Sequence, residues 1–207
     1  MKIGVVNYHA GNLTSIESAL TFLKSDYFVS SDPEKLFHAD RLIFPGVGES
    51  RYAMGELKKT GNDEMIKKFI KTGKALLGIC LGAQILFSHS QENDTSLLSL
   101  LQGEVVQFDF QTKLKIPHMG WNSVEITSKE KNQGRLFSDI PQNSSFYFVH
   151  SYYIKPLDEK VICGVCDYGL PFCAAVESDN IFAVQFHPEK SGNVGLKMLQ
   201  NFLTFKD

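Results

Sequence analysis

Several features that would narrow the function at once are scarce or missing in this sequence of 207 residues. No apolar run reaches the roughly 18 residues that a membrane-spanning helix needs. The formal net charge is only −2, and the lysines and arginines are scattered, so nothing indicates binding to nucleic acid or to an anionic membrane. Repeats, low-complexity stretches and linkers are also missing. We therefore expect one globular domain over residues 1–207.

Cysteine is sparse as well, and the four residues are Cys80, Cys163, Cys166 and Cys173. Cys163 and Cys166 have the C-x-x-C spacing of redox and zinc motifs, but they lie in a strand-like segment, where an odd spacing points two side chains to opposite faces. We therefore predict no redox pair, no metal and no organic cofactor. The segment Met1–Asn7 is strand-like and too short for a signal peptide, so we expect a cytoplasmic protein with reduced cysteines.

The hydrophobic pattern changes along the chain. Strand-like and helix-like segments alternate up to Phe87, which is typical of a parallel sheet with helices on both faces. From Glu104 onward strands dominate, and a helix returns only near the end, where Leu196, Leu199 and Leu203 share one face. The prediction is an α/β fold, a single-domain, open, mixed and mostly parallel sheet with flanking helices. Functional loops cluster at the carboxyl ends of the strands in such folds.

The segment Leu76–Phe87 has the clearest chemical pattern. An apolar run of strand length meets Gly78-Ile79-Cys80-Leu81-Gly82, the nucleophile-elbow pattern G-x-S-x-G with cysteine in place of serine, and a helix-like run follows. Such a corner places the Cys80 sulfur at a helix N-terminus, which favours the thiolate. The free N–H groups there, starting with that of Leu81, could hold an oxyanion. The alternative is a tight turn with an inert, buried thiol.

A cysteine nucleophile needs a base and an orienting group. Among the six histidines, His187 stands apart because it follows an apolar strand and precedes Pro188. Glu189 lies two residues further, on the same side of an extended chain, where its carboxylate could orient the imidazole. Pro45–Gly48 follows another predicted strand, and its glycines could turn N–H groups toward a substrate. The residues alone also allow a strand-end histidine with a solvated glutamate, and a simple Gly-Pro turn.

Together these segments resemble the class I, or triad, glutamine amidotransferases, whose flavodoxin-like layers agree with the predicted fold. Within that class, nearly the whole chain is similar to the glutaminase subunits of imidazole glycerol phosphate synthase. The similar segments are GNL, PGVG, LGICLGAQ, PHMGWN, YFVHSY and QFHPEK, which begin at Gly11, Pro45, Leu77, Pro117, Tyr147 and Gln185.

The resemblance assigns roles to individual residues. The catalytic triad would be Cys80, His187 and Glu189, and the oxyanion site would be lined by Gly48 and Leu81. Glutamine would be held by Gln84, Glu92, His150, Ser151 and Tyr152. The positions at or near a partner interface are Asn12, Trp121, Tyr147 and Lys190.

The resemblance also implies a reaction and a partner. Glutamine is hydrolysed to glutamate and ammonia, and the ammonia passes to a separate (β/α)8-barrel synthase subunit of the HisF type, bound as a heterodimer. That subunit would form imidazole glycerol phosphate and an aminoimidazole carboxamide ribotide in histidine biosynthesis. In the family, the glutaminase is weak until the synthase subunit binds its own ligand.

The sequence departs from the family pattern at Asn7–His9, at Ala83 and at Ser90–Asp94, the last of which lacks the usual glycines. Alternatives therefore remain. One is a paralogous subunit that supplies ammonia for amidination of a bacterial surface or flagellar sugar. Another is a non-catalytic module on the same scaffold, and a third is a cysteine hydrolase that shares only the elbow. Trp121 is equally consistent with a core position and with an interface anchor.

Overall fold

The computed structural model describes residues 1–8, 13–108, 114–127 and 134–205. Its strands are β1 (Lys2–Val6), β2 (Asp26–Ser30), β3 (Arg41–Gly46), β4 (Leu76–Cys80), β5 (His89–Ser90), β6 (Thr95–Ser96), β7 (Gly103–Gln107), β8 (His118–Ile126), β9 (Ser144–His150), β10 (Tyr152–Pro156), β11 (Ile162–Asp167), β12 (Pro171–Ser178) and β13 (Ile181–Val184). Its α-helices are α1 (Leu13–Phe22), α2 (Pro33–Phe37), α3 (Ser50–Thr60), α4 (Asn62–Lys71), α5 (Leu81–Ile85) and α6 (Gly192–Thr204). None of the described helices is long and apolar enough to cross a membrane.

Five neighbouring strands run parallel, in the order β2-β1-β3-β4-β13. The antiparallel strand β12 follows β13, and β10 and β7 extend the sheet beyond it, while β11 and β8 connect β12 to β9. The predicted mixed sheet with flanking helices is therefore confirmed. Because β13 pairs with β4, Val184 lies beside Ile79, and two segments that are distant in the chain end on the same side of the sheet.

Helices cover the sheet through two apolar clusters. Leu20 of α1 and Leu199 and Phe202 of α6 belong to one cluster, and Leu57 of α3 and Phe69 of α4 belong to the other. Each of these four helices buries one apolar stripe, and the removal of that surface from water is the main force that holds the layers together.

Two helix boundaries follow local sequence signals. The Asp32 carboxylate accepts a hydrogen bond of 3.0 Å from the Glu34 N–H, and Pro33 is the first residue of α2, as the N-cap and proline pattern predicts. Helix α3 ends at Thr60 and is capped by Gly61, whose φ of 75° is in the left-handed region that glycine adopts without steric cost.

The helix after Cys80 is shorter than the apolar pattern predicts. Helix α5 ends at Ile85, whereas the pattern continues to Phe87. The N–H groups of Leu86 and Phe87 bond to carbonyls three residues back, so the chain tightens after Ile85. The carbonyls of residues 85–87 then accept backbone hydrogen bonds from residues 98–101, which hold the chain to that segment instead of a longer helix.

Strand β10 is absent from the sequence-based expectations, because Tyr152–Pro156 shows no clean alternation. It forms by pairing with β7 over five register positions, from Tyr152 opposite Gln107 to Pro156 opposite Gly103. This pairing fixes the path of the chain directly after β9, and it brings Tyr152 to the candidate site.

The interpretation of Cys163 and Cys166 needs a correction. Strict alternation does not hold in β11, because its register against β12 shifts on both sides of Gly164, and both thiols are buried in the same apolar cluster. Both are free, and burial raises the pKa of each thiol, that of Cys166 to about 12. Neither thiol is therefore poised as a thiolate.

Candidate active site

Cys80 lies at the corner between β4 and α5 in strained backbone geometry. Its φ of 55° and ψ of −113° are unusual for a residue with a side chain and are the kind of geometry expected of a nucleophile elbow. A Cβ at Gly82 would overlap the carbonyl oxygen of Phe44, and one at Gly78 would lie 2.8 Å from the Cα of Ala83. The two glycines are therefore required by the close approach of neighbouring backbone.

His187 and Glu189 reach Cys80 because they follow β13, the strand that pairs with β4. The His187 Nδ1 atom lies 2.8 Å from Glu189 Oε1, and both side chains are 3% exposed. Pro188–Lys190 forms a 3-10 turn. This differs from the extended segment predicted from the sequence, but the turn also brings carboxylate and imidazole together.

The electrostatics of this pair favour a charged imidazole. Burial by itself lowers the pKa of His187, but the Cys80 sulfur and the Glu189 carboxylate outweigh it and raise the pKa to about 10. The His187 Nε2 atom is buried and has no hydrogen-bond partner among the described residues, so it is free to exchange a proton with Cys80 or a substrate.

A pocket of about 400 Å³ opens at Cys80. It is lined by every residue expected to hold glutamine and by both expected oxyanion residues, which are Gly48, Leu81, Gln84, Glu92, His150, Ser151 and Tyr152. Val47, Pro117 and Val149 also contribute to the lining. The structure therefore brings together residues that are distant in the sequence.

The two expected oxyanion residues lie on neighbouring strand ends. Gly46 at the end of β3 pairs with Cys80 at the end of β4, and Gly48 follows with a φ of 97° in open space. Leu81 is the first residue of α5, directly after Cys80. Both positions therefore line the pocket beside Cys80, and their role in holding an oxyanion stays a prediction.

A chain of hydrogen bonds fixes another wall of the pocket. The Tyr152 carbonyl accepts from Gln84 Nε2 at 2.9 Å and from His150 Nδ1 at 2.8 Å. His150 therefore carries its proton on Nδ1, and its Nε2 accepts from His118 Nδ1 at 3.0 Å. Burial lowers the pKa of His150 to about 3 and that of His118 to about 4, which keeps this pair neutral.

Glu92 lies at the pocket despite the missing glycines in its loop. Asn93 and Asp94 take positive φ values of 54° and 48°, a conformation that asparagine and aspartate tolerate better than most residues. Glu92 Oε2 accepts a hydrogen bond of 2.7 Å from the Ser50 N–H at the start of α3. Asn93 also donates to the Glu49 carboxylate, so this loop is attached to the segment that follows Gly48.

Trp121 is not a core residue. It is 58% exposed and contacts Tyr147, its cross-strand neighbour, edge to face at 6.2 Å between ring centroids. Met119 on the same strand and Lys190 after the triad are also exposed. Asn12, the fourth expected interface residue, lies outside the described residues.

Two residues of the site have no role assigned from the sequence. Gln185 Nε2 lies 3.9 Å from the Cys80 sulfur, and its Oε1 accepts from Gln84 Nε2 at 3.0 Å. His118 supports His150 through a hydrogen bond. Both lie in segments that carry the family resemblance. A polar residue directly after an apolar strand, as Gln185 is, was the signal available in the sequence.

Comparison with known proteins identifies the class first. The sequence model of the family described as "Glutamine amidotransferase class-I" matches residues 6–205. A solved structure described as a glutamine amidotransferase aligns with a TM-score of 0.73 at 22% identity, over 97% of this chain and 96% of that one. The structure of PurLQS from Thermotoga maritima aligns with a TM-score of 0.74 at 20% identity, over 98% and 97%. These structural matches show the fold.

The chain belongs to the class I glutamine amidotransferase family, and it is a glutamine-hydrolysing enzyme. Two curated relatives carry the name imidazole glycerol phosphate synthase subunit HisH. That of Helicobacter hepaticus is 45% identical over 99% of this chain and 98% of its own length. That of Maridesulfovibrio salexigens is 46% identical over 98% and 96%. The similarity therefore extends over nearly the full length of each protein.

Proposed function

We propose that this chain is the glutaminase subunit of an imidazole glycerol phosphate synthase and acts in the cytoplasm. The observation that carries the proposal is that Cys80 interacts with the buried pair His187 and Glu189 beside a pocket lined by amide, carboxylate and backbone groups. The similarity to full-length relatives of that name supports the choice of pathway.

In the first step, the Cys80 thiolate attacks the side-chain carbonyl carbon of L-glutamine. Negative charge then develops on the carbonyl oxygen, where the N–H groups of Leu81 and the Gly48 loop stabilise it. The strained elbow holds the sulfur at the pocket, so the nucleophile is positioned before the substrate binds.

His187 moves the protons of both half-reactions. Its Nε2 donates a proton to the departing ammonia, which leaves a thioester on Cys80, and then takes a proton from the water that hydrolyses this thioester to glutamate. Glu189 holds the imidazole by its Nδ1 atom and stabilises the charged form. The raised pKa of His187 agrees with this role as a proton donor.

Substrate is held by the polar groups of the pocket. The amide nitrogen of Gln84 donates to Tyr152 and Gln185, which leaves its Oε1 atom to accept from the ammonium group of glutamine. The Glu92 carboxylate would balance that positive charge. His150, Ser151 and Tyr152 line the pocket beside these two side chains.

The surface formed by the exposed Met119 and Trp121 with the half-buried Tyr147 suits a (β/α)8-barrel synthase subunit that receives the ammonia in a heterodimer. Tryptophan, tyrosine and methionine are enriched at such interfaces. The Tyr147 carbonyl accepts a hydrogen bond of 2.8 Å from the His187 N–H, so a partner docked on this surface contacts the strand that holds the base. Asn12 and Lys190 remain predicted interface residues.

The first test is glutamine turnover by the chain alone, then with its barrel subunit, and then with that subunit's nucleotide ligand. We expect low turnover alone and a rise of at least about tenfold in the liganded complex. Cys80→Ala in the same complex should abolish glutamate formation, and unchanged formation would exclude the proposed nucleophile. Rescue of a histidine auxotroph separates the histidine pathway from the sugar-modifying paralogue.

The partner surface is tested by Trp121→Ala. We expect the affinity for the barrel subunit, measured by titration calorimetry, to fall at least about tenfold because a large aromatic contact is lost. Phe22→Ala is the matched control, since Phe22 is 71% exposed but ends α1, which leads to the start of β2 at the amino-terminal side of the parallel strands. Equal effects of the two changes would contradict the placement of the interface.

A further inference from the structure

Gln185 is completely buried between the nucleophile and Gln84. Its amide nitrogen lies 3.9 Å from the Cys80 sulfur, and its amide oxygen accepts a hydrogen bond of 3.0 Å from Gln84 Nε2. The proposed mechanism uses Cys80, His187 and Glu189 and leaves the donor of Gln185 without a task. A buried amide N–H directed at a reacting sulfur is a candidate for stabilising its charge.

The direction of this amide is fixed by its neighbours. The Tyr152 carbonyl can only accept, so the Gln84 atom beside it belongs to the NH2 group. The second hydrogen of that group is directed at Gln185, so the Gln185 atom that receives it is the oxygen. The NH2 group of Gln185 is therefore the end that faces Cys80. Reversal of either amide would place two donors, or two acceptors, against each other.

A donor at this position adds to the stabilisation that the charged His187 imidazole gives the thiolate. Helix α5 has only five residues, so few aligned peptide dipoles contribute to the helix dipole that is expected to favour the thiolate. Another polar neighbour of the sulfur is the Val149 carbonyl at 3.8 Å, which accepts a hydrogen bond from a thiol and repels a thiolate. Gln185 does the opposite, since it donates to the sulfur.

We propose that Gln185 is a further residue of the glutaminase centre, a hydrogen-bond donor that stabilises the Cys80 thiolate, and that Gln84 holds its donor end toward the sulfur. The inference rests on the proposed role of Cys80 as nucleophile. Gln84 then has two tasks, with its oxygen on the substrate and its nitrogen on Tyr152 and Gln185. The side chain that precedes the catalytic histidine by two residues thus contributes to activation of the nucleophile.

The test measures the thiolate itself. Iodoacetamide modification of Cys80 is followed against pH in the free, full-length chain, with the modified peptide quantified by mass spectrometry. We expect Gln185→Glu to raise the midpoint of this profile by at least about one pH unit, because a carboxylate replaces a donor beside the thiolate. Gln185→Met, which removes the donor at similar size, should raise it by about half a unit.

Two controls accompany these variants. Gln200→Glu makes the same charge change at an exposed glutamine of α6, and it should leave the midpoint in place. Modification of the buried Cys163 and Cys166 reports unfolding within the same sample. An unchanged midpoint in folded Gln185→Glu and Gln185→Met chains would overturn the proposal.

A measurement on the unsubstituted chain decides the matter if both variants unfold. The side-chain amide signals of Gln185 in a nitrogen-15 spectrum should shift with the same midpoint as Cys80 modification, and constant signals would overturn the proposal. The experiments distinguish a failure of the role proposed for Gln185 from a failure of the proposed function. A complex without glutamine turnover defeats the function and leaves a shifted midpoint standing, whereas normal turnover with an unshifted midpoint defeats the role of Gln185.

Discussion

Two glycine-containing turns border the same pocket and differ in the space around them. At the elbow, Gly78 and Gly82 are packed against neighbouring backbone, and Cys80 is 6% exposed. In the loop after β3, a Cβ at Gly48 would meet no other atom within contact distance, and Val47 is 37% exposed. One turn holds Cys80 by crowding, whereas the other has open space at its glycine.

This difference separates the part of the site that is held rigidly by its neighbours from the part that is exposed to solvent. The sulfur, the imidazole and the Glu189 carboxylate are buried and positioned by their neighbours, which suits the reacting groups of the proposed mechanism. The Gly48 loop is exposed, so a bound protein can change its conformation at little cost to the core. The crowded turn at Gly78 and Gly82 and the open turn at Gly48 can be tested separately. We expect the largest loss of stability from a substitution at Gly82.

Gly82→Ala should break the crowded turn. The added Cβ would overlap the Phe44 carbonyl oxygen, and main-chain atoms of β3 cannot move aside without disrupting the sheet. We expect a loss of more than about 3 kcal/mol in the free energy of unfolding, or no folded protein. Urea unfolding followed by circular dichroism measures it. Wild-type stability in this variant would show that the elbow is not crowded.

Glu189→Gln should impair glutamine turnover without unfolding the protein. The amide has nearly the same shape as the carboxylate but lacks its charge, so the pKa of His187 falls and the imidazole is no longer held in one tautomer. We expect kcat for glutamine in the liganded complex to fall roughly 10²–10³-fold, and the alkaline limit of activity to move to lower pH.

Steady-state assays across a pH series measure this effect. Glu64→Gln, at an exposed glutamate paired with Lys67, is the matched control for loss of a carboxylate. A decrease in kcat below about fivefold for Glu189→Gln would contradict its role in orienting His187.

The buried pair His118 and His150, at one wall of the same pocket, should make the stability of the protein depend on pH. The pKa of each is lower in the folded chain than the ordinary value of about 6.5, so the unfolded chain takes up protons first as pH falls. The stability contributed by the neutral pair is present above about pH 6.5 and is lost toward pH 4. When the pH falls from 7 to 4.5, the free energy of unfolding of His118→Gln should decrease by about 2 kcal/mol less than that of the wild type.

Urea unfolding at a series of pH values gives this comparison. His38→Gln, which removes an exposed histidine, is the control for loss of a titrating side chain at the surface. Parallel pH profiles for the wild type and His118→Gln would contradict the assignment of a neutral, buried pair.

Gly48→Ala should have the smallest effect on stability. The new Cβ meets open space, so the cost is confined to the strain of a side chain at a φ of 97°. We expect a loss of about 1 kcal/mol in the free energy of unfolding, and a larger relative loss in kcat because the added side chain restricts reorientation of the loop around the oxyanion. A stability loss equal to that of Gly82→Ala would remove the contrast between the turns.

Local features of the site are well predicted from the sequence. The elbow at Cys80 and the strand before His187 are signals carried by a few neighbouring residues, so they can be recognised without the fold. The length of α5 and the existence of β10 were not predicted, because both are set by hydrogen bonds to segments elsewhere in the chain. Alternation in β11 failed for the same reason, since its register is set by β12.

The sequence by itself determined the chemical types of the site, because a nucleophile, a base and a carboxylate appear in patterns with a local steric or electrostatic reason. Only the tertiary structure decided which of them meet. The pairing of β13 with β4 brings His187 to Cys80, and the buried neighbours decide that His187 is charged whereas His150 is neutral. Exposure of Trp121 and the direction of the Gln185 amide also depend on atoms distant in the chain, which no local pattern can specify.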